Sequence, residues 1–153
     1  MDGVLADFAG RYYILFGKTP ADARENKEFK PEWDQFCLTE QFRTLNFWPG
    51  AEKLLSYVKG LQNIEVQILT SAGGRKHYES VATQKVHWLL SKNIPYFANV
   101  VWNRGLKKNY ANSNTILVDD TVDVIDEFNA AGGHGILHRD AEDTIERIAK
   151  LIS

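Results

Sequence analysis

One cysteine, four histidines and no long apolar run are the scarcities that first bound this 153-residue chain. A lone thiol, Cys37, closes no internal disulfide, so the fold has to be held by its core, and a reducing, cytoplasmic setting is expected. No apolar stretch approaches the roughly 20 residues that a bilayer span needs, and no leader-like apolar segment follows a basic start. No membrane partner is therefore expected. Neither sign of charge dominates, with 18 Lys and Arg against 20 Asp and Glu and a net charge of -2. That balance leaves no broad basic face for a nucleic-acid polymer, while a single nucleotide stays open as a ligand. Cys37 has no neighbouring His in sequence and reads as a small packed side chain, not a nucleophile. The histidines are scattered, with His134 and His138 in or at the end of an expected strand, which spells no metal site. Internal repeats and low-complexity segments are also missing.

What is present suits one domain: 44% of the residues are hydrophobic, enough at this length for a sizeable core. Helical spacing covers residues 8–16, stopped by Gly17, and 49–60, opened by Pro49 and stopped by Gly60. Short apolar runs at 64–69, 99–102, 115–118 and 134–138 predict strands, and 78–90, 122–131 and 141–152 predict helices between and after them. Strands alternating with helices imply a parallel sheet with right-handed crossovers. Residues 17–48, with Pro20, Pro31 and many aromatics, break that rhythm and read as a small cap-like insertion over the sheet edge.

Asp119 and Asp120 close the apolar run Thr115-Ile116-Leu117-Val118. Ligands of open α/β sheets gather beyond the strands' carboxyl ends, and two adjacent carboxylates there call for a cation. Hard oxygens without His or Cys suit Mg²⁺; the competing reading is a solvated turn capping the next helix. A second strand runs into Thr70-Ser71-Ala72-Gly73-Gly74, where hydroxyls can donate to a phosphate and glycines let backbone approach it. Lys107 and Lys108 could bring an ammonium to the same phosphate, or simply sit in a solvated loop.

The beginning of the chain, Met1-Asp2-Gly3-Val4-Leu5-Ala6-Asp7-Phe8, resembles the first motif of the haloacid dehalogenase-like phosphatases. It is most similar to the 5'(3')-deoxyribonucleotidase branch, whose motif reads Asp-Met-Asp-Gly-Val-Leu-Ala-Asp-Phe. Leu69-Thr70-Ser71 resembles the second motif, Lys107 the third and Leu117-Val118-Asp119-Asp120 the fourth. Trp48-Pro49-Gly50-Ala51, Lys85 with Trp88, Asn129-Ala130-Ala131-Gly132-Gly133 and Ile136-Leu137-His138 extend the likeness over nearly the whole chain.

The resemblance implies a Rossmann-like three-layer α/β/α domain with a parallel sheet and a small helical cap. It further implies Mg²⁺-dependent hydrolysis of a phosphomonoester, a (deoxy)nucleoside monophosphate, through an aspartyl-phosphate. Asp2 matches the acid/base residue of the Asp-x-Asp motif and a metal ligand. Asp119 and Asp120 match metal-site carboxylates, Thr70, Ser71 and the amides beside Ala72 the phosphate cradle, and Lys107 the charge-neutralising lysine, with Lys108 as its competitor. The attacking Asp has no position in this sequence. A start at an internal Met is the expected explanation, and as written the chain should turn over very little. Ten of 18 aromatics lie between Phe8 and Trp48, a composition that suits base stacking, with Phe8, Trp33 and Trp48 as the candidate rings. Two alternatives stay open: a nucleotide- or Mg²⁺-binding module without turnover, and a phosphatase for another small phosphoester. Base preference, 5' against 3' position and a homodimeric state are left open.

Overall fold

Each strand forms only where a neighbour supplies backbone partners, and this sets the architecture. In the computed structural model, which describes residues 1–153, β1 (Ile68–Ser71) pairs in parallel with β2 (Ala98–Val101), and β3 (Ile116–Asp119) with β4 (His134–Leu137). The expected strand at 64–69 begins only at Ile68, because the ladder starts at the Ile68–Ala98 pair and Ile64 to Gln67 have no strand beside them.

Seven helices surround the strands: α1 (Phe8–Phe16), α2 (Pro20–Glu25), α3 (Phe29–Leu38), α4 (Ala51–Lys59), α5 (Tyr78–Ser91), α6 (Val122–Ala130) and α7 (Ala141–Ile152). Gly17 ends α1 in the left-handed conformation at φ 69°, and Asp140 caps α7 by accepting from the Asp143 amide at 2.8 Å. Between β1 and β2 the chain passes through α5, and between β3 and β4 through α6, the crossover that parallel pairing requires. The protein is thus an α/β domain of parallel strand pairs.

One expectation is not met in its simple form. The strands make two separate two-stranded sheets, β1–β2 and β3–β4, where the spacing of elements predicts a single sheet. The two pairs face each other across an apolar groove, and the core is divided there. Leu117, Val124 and Phe128 cluster apart from the 21-residue main core.

The insertion folds as α2, α3 and a 3-10 turn at Gln41–Thr44, and it shares the main core instead of standing off it. Phe36, Phe42 and Leu45 are fully buried, and α5 fastens the segment through side chains. Gln84 accepts from the Phe42 amide and donates to the Cys37 carbonyl, while the Trp88 indole donates to the Leu45 carbonyl at 2.7 Å. Cys37 is itself buried, and burial followed by the nearby Asp34 pushes its thiol up to about 12, which leaves it inert. No helix is long and apolar enough to cross a membrane.

Candidate active site

Parallel strands bring their carboxyl ends to one edge, and five of the six residues gathered there, Asp2, Thr70, Lys85, Lys107, Asp119 and Asp120, are charged. Asp119, the last residue of β3, points into the interior, where its Oδ2 accepts from Lys107 Nζ at 2.6 Å. Both groups are buried. Lys107 reaches it from a 3-10 turn at Arg104–Tyr110, whose tight winding turns Lys107 inward and leaves Lys108 exposed. Geometry therefore selects Lys107 from the two candidates. Burial alone would raise the Asp119 carboxyl, but the charge of Lys107, the Met1 amine and hydrogen bonds from Lys107 and the Thr121 amide outweigh it and hold Asp119 below its ordinary range.

Asp120 behaves oppositely. Burial first, then the neighbouring Asp119 charge, raise its carboxyl. Alternation along the strand sends it to the other side from Asp119, against the turn at Gly3. Gly3 has φ +71°, and a Cβ built there would stand 2.0 Å from Asp120 Oδ2, so no residue with a side chain fits that contact. This brings the Asp2 turn and the Asp120 carboxylate together.

The residue that binds the site together was missed as a functional group in the sequence. Lys85, 1% exposed in the middle of α5, donates from Nζ to Asp2 Oδ2 at 2.9 Å, to Thr70 Oγ1 at 2.8 Å and to the Ser71 carbonyl at 2.8 Å. Its signal was present: Lys85 shares one helix face with buried Val81, Trp88 and Leu89, and a lysine on an apolar face needs buried partners. His138 was also passed over. It is buried, its Nδ1 pairs with Thr144 Oγ1 at 2.7 Å, and burial lowers its imidazole, which stays neutral although Asp120 and Asp140 act against the shift.

The loop after β1 departs from the expected phosphate cradle. The Ala72 amide donates to Val101 O at 2.8 Å, the Gly73 amide to Ser71 Oγ at 3.1 Å and the Gly74 amide to Trp102 O at 2.7 Å. All three amides are committed inside the protein, those of Ala72 and Gly74 because the β1–β2 pairing continues past the strand ends and that of Gly73 in a local turn closed by the Ser71 hydroxyl. The donors left for an anion at this edge are the Thr70 and Ser71 hydroxyls, whose oxygens here act as acceptors, and Lys107, since the three N–H groups of Lys85 are already committed to Asp2, Thr70 and Ser71.

Two of the three candidate rings, Phe8 and Trp33, touch, and Trp48 lies apart. Phe8 packs among Tyr12, Trp33, Phe36 and Phe42, with ring centroids 5.0 to 6.0 Å away. Trp33 lies on the loop itself: a Cβ at Gly73 would stand 2.5 Å from its ring. Asp34 clamps Trp33 there by pairing with Lys76 at 2.8 Å and His77 at 2.7 Å, which joins α3 to the start of α5. Trp48 belongs to a different wall, its amide donating to Leu5 O at 2.8 Å.

The donors suit a hard divalent cation. Asp2 Oδ1 is buried with no hydrogen-bond partner, and Asp120 Oδ2 is not engaged in any hydrogen bond. The buried Asp2 oxygen favours a proton or positive charge beside it, whereas the Asp120 carboxylate is exposed and open to a cation from solvent. No group of three or more His, Cys, Asp and Glu side chains is placed to hold a metal ion, so an ion at this edge would have at most two protein carboxylates and would take its other ligands from water and substrate. No family model, curated protein or solved structure matches this chain.

Proposed function

We propose that this chain is a Mg²⁺-dependent phosphomonoester hydrolase of the haloacid dehalogenase-like type, built on a Rossmann-like plan and directed at nucleoside monophosphates. The observation that carries the reading is the convergence of Asp2, Thr70, Lys85, Lys107, Asp119 and Asp120 at one edge beyond the parallel strands. Hydrolysis of a phosphate ester is mainly positioning and neutralisation of charge, and two buried lysines among three carboxylates provide for both. Asp120 and the backbone carbonyl of Asp2 would hold Mg²⁺, which when bound would neutralise phosphate charge. Lys107 holds Asp119 ionised and adds positive charge to the edge. Lys85 orients Asp2, whose free oxygen is the group suited to protonate a leaving alkoxide and later take a proton from water. Thr70 and Ser71 supply hydroxyl donors.

Isothermal calorimetry with Mg²⁺ tests the metal assignment. Asp120→Asn is expected to weaken binding by about 2 kcal/mol or more, the scale of one charged ligand contact. In the unsubstituted chain, binding should fall as pH drops through the Asp120 carboxyl, at a pH above the ordinary carboxylate range, because the cation requires the ionised form and the Asp120 carboxyl is raised. Binding that is indifferent to Asp120→Asn would remove this residue from the metal site.

For the base, Trp33 is the ring best placed beside the loop, with Phe8 packed behind it. Trp33→Ala is expected to cost nucleotide binding about 1 to 3 kcal/mol, the worth of one stacked base, while inorganic phosphate binding is unchanged. Phe8→Ala should instead cost about 3 kcal/mol of stability, because it opens a hole among four rings. Equal losses for phosphate and nucleotide in Trp33→Ala would place that tryptophan in packing alone. A module that binds nucleotide and Mg²⁺ without turnover would show the same binding results with no phosphate release, and a phosphatase for another phosphoester would release phosphate without needing Trp33.

A further inference from the structure

His138 is buried at the edge of the site, yet the proposed chemistry gives it no task. Its place follows from the strand register. Val118 lies opposite Ile136 and Asp119 opposite Leu137 in the β3–β4 ladder, and the His138 amide extends that ladder by donating to Asp119 O at 2.8 Å. One step further along the same register sets Asp120 beside His138, on strands about 4.8 Å apart. Side chains alternate along a strand, so these two leave on one face, the face that Val118 and Ile136 turn to the main core. Asp120 is exposed there and His138 is buried.

The ring is held from α7. Thr144, fully buried, places its Oγ1 2.7 Å from His138 Nδ1, and neither atom has another partner. Nε2, across the ring, has none: it and Asp2 Oδ1 are the two buried side-chain polar atoms of the protein without a hydrogen bond. Burial keeps the imidazole neutral against the nearby Asp120, Asp140 and Asp143 carboxylates, and a neutral imidazole has one N–H and one lone pair. Were the proton on Nδ1, it would go to Thr144 and leave the Nε2 lone pair facing carboxylates, acceptor against acceptor. With the Thr144 hydroxyl donating to Nδ1, the proton sits on Nε2 instead. Only this second arrangement lets both ring nitrogens be satisfied.

We propose that His138 is the positioning residue for Asp120: the Thr144 hydroxyl fixes the ring, and Nε2–H donates to the Asp120 carboxylate and aims it at the cation. The role of the cation rests on the Mg²⁺ reading; the hydrogen bond does not. Asp120 Oδ1 accepts from the Thr121 hydroxyl at 3.1 Å while Oδ2 is not engaged, so the carboxylate has room for a second donor. The bond forms by rotation of the exposed Asp120 side chain, whose terminal torsion is soft. Carboxylates that ligate a metal are commonly hydrogen-bonded in turn, and losing such a partner costs about 10- to 100-fold in metal affinity. A neutral histidine supplies that donor without setting a second positive charge beside the cation, as a lysine would.

Nitrogen-15 spectra of the histidine rings, with His138→Gln to assign the signal, test the hydrogen bond in the absence of metal. His138 is expected in the Nε2–H form, with a ring proton that exchanges about tenfold or more faster in Asp120→Ala. The Nδ1–H form, or an Nε2 proton indifferent to Asp120→Ala, overturns the proposal. Calorimetry with Mg²⁺ then separates the donor from the bulk of the ring. The side-chain amide nitrogen of Gln falls near the place of Nε2 and that of Asn near the place of Nδ1. His138→Gln should therefore keep Mg²⁺ affinity within about threefold, while His138→Asn loses about 10- to 100-fold. Equal losses in the two variants, with equal drops in melting temperature, would assign His138 to packing and overturn the proposal. An unsubstituted chain that binds no Mg²⁺ while its Nε2 proton still depends on Asp120 would fail the metal reading alone and support His138 as the residue that positions Asp120.

Discussion

An extended chain with Asp directly before Met1 is expected to release phosphate from deoxynucleoside monophosphates about 10⁶-fold faster than the identical chain with Asn there, the scale of losing a covalent nucleophile. The comparison holds the fold constant, since Asp and Asn differ by little in size. What differs is attack on phosphorus. A carboxylate can form the aspartyl-phosphate and release the alkoxide, to which Asp2 gives a proton; an amide is a poor nucleophile and brings no charge for Mg²⁺. The Met1 amine is buried at the same edge as Asp2 and Asp119, and burial followed by the charge of Lys107 lowers it to about 6. Single-turnover phosphate release at matched Mg²⁺ measures the difference. Equal rates for Asp and Asn would show that another group attacks phosphorus and that the resemblance does not extend to the mechanism.

Lys107→Met should unfold at much lower urea concentration, with a loss of about 3 to 5 kcal/mol near neutral pH, because it strands the buried Asp119 carboxylate without its partner. The pH dependence distinguishes charge from packing. In the unsubstituted protein the Asp119 carboxyl lies below its ordinary value of 3.8, so its stabilising contribution is present above that value and is lost as pH falls through the lower folded one. In the variant, burial acts unopposed by Lys107 and the folded state favours the protonated acid. The gap between the two proteins should therefore narrow in acid. Adding Asp119→Leu to Lys107→Met should recover most of the stability, since removing both charges leaves nothing buried and unpaired. A loss as large at pH 3 as at pH 7 would assign it to the missing lysine stem.

Much of the fold was legible because it is written in short-range terms. The helix expected at 8–16 ends at Gly17, and the one at 141–152 follows an Asp that caps it. Helix periodicity and caps depend on residues three or four apart, which a sequence displays directly. The same holds for the Asp pair, whose place after an apolar run located the carboxyl edge of β3. The insertion announced itself by breaking the rhythm, but its sharing of the core with α5 did not. That depends on Gln84 and Trp88 bonding to residues more than 40 positions away.

Sequence alone singled out the candidates: the Asp pair, the Thr-Ser-Gly loop, the paired lysines and Asp2. Only the tertiary structure decided how they are used. It buried Lys107 and left Lys108 exposed because a 3-10 turn faces one of them inward, and it committed the Ala72 and Gly74 amides to Val101 and Trp102 because the β1–β2 pairing runs past its strands. It made Lys85 the centre of the site by folding α5 over β1, and it split the expected sheet in two. The physical reason is the same in each case. A hydrogen bond between Asp2 and Lys85 joins residues 83 positions apart, and no local spacing encodes which distant group will share a buried pocket with a charge until the chain has closed around it.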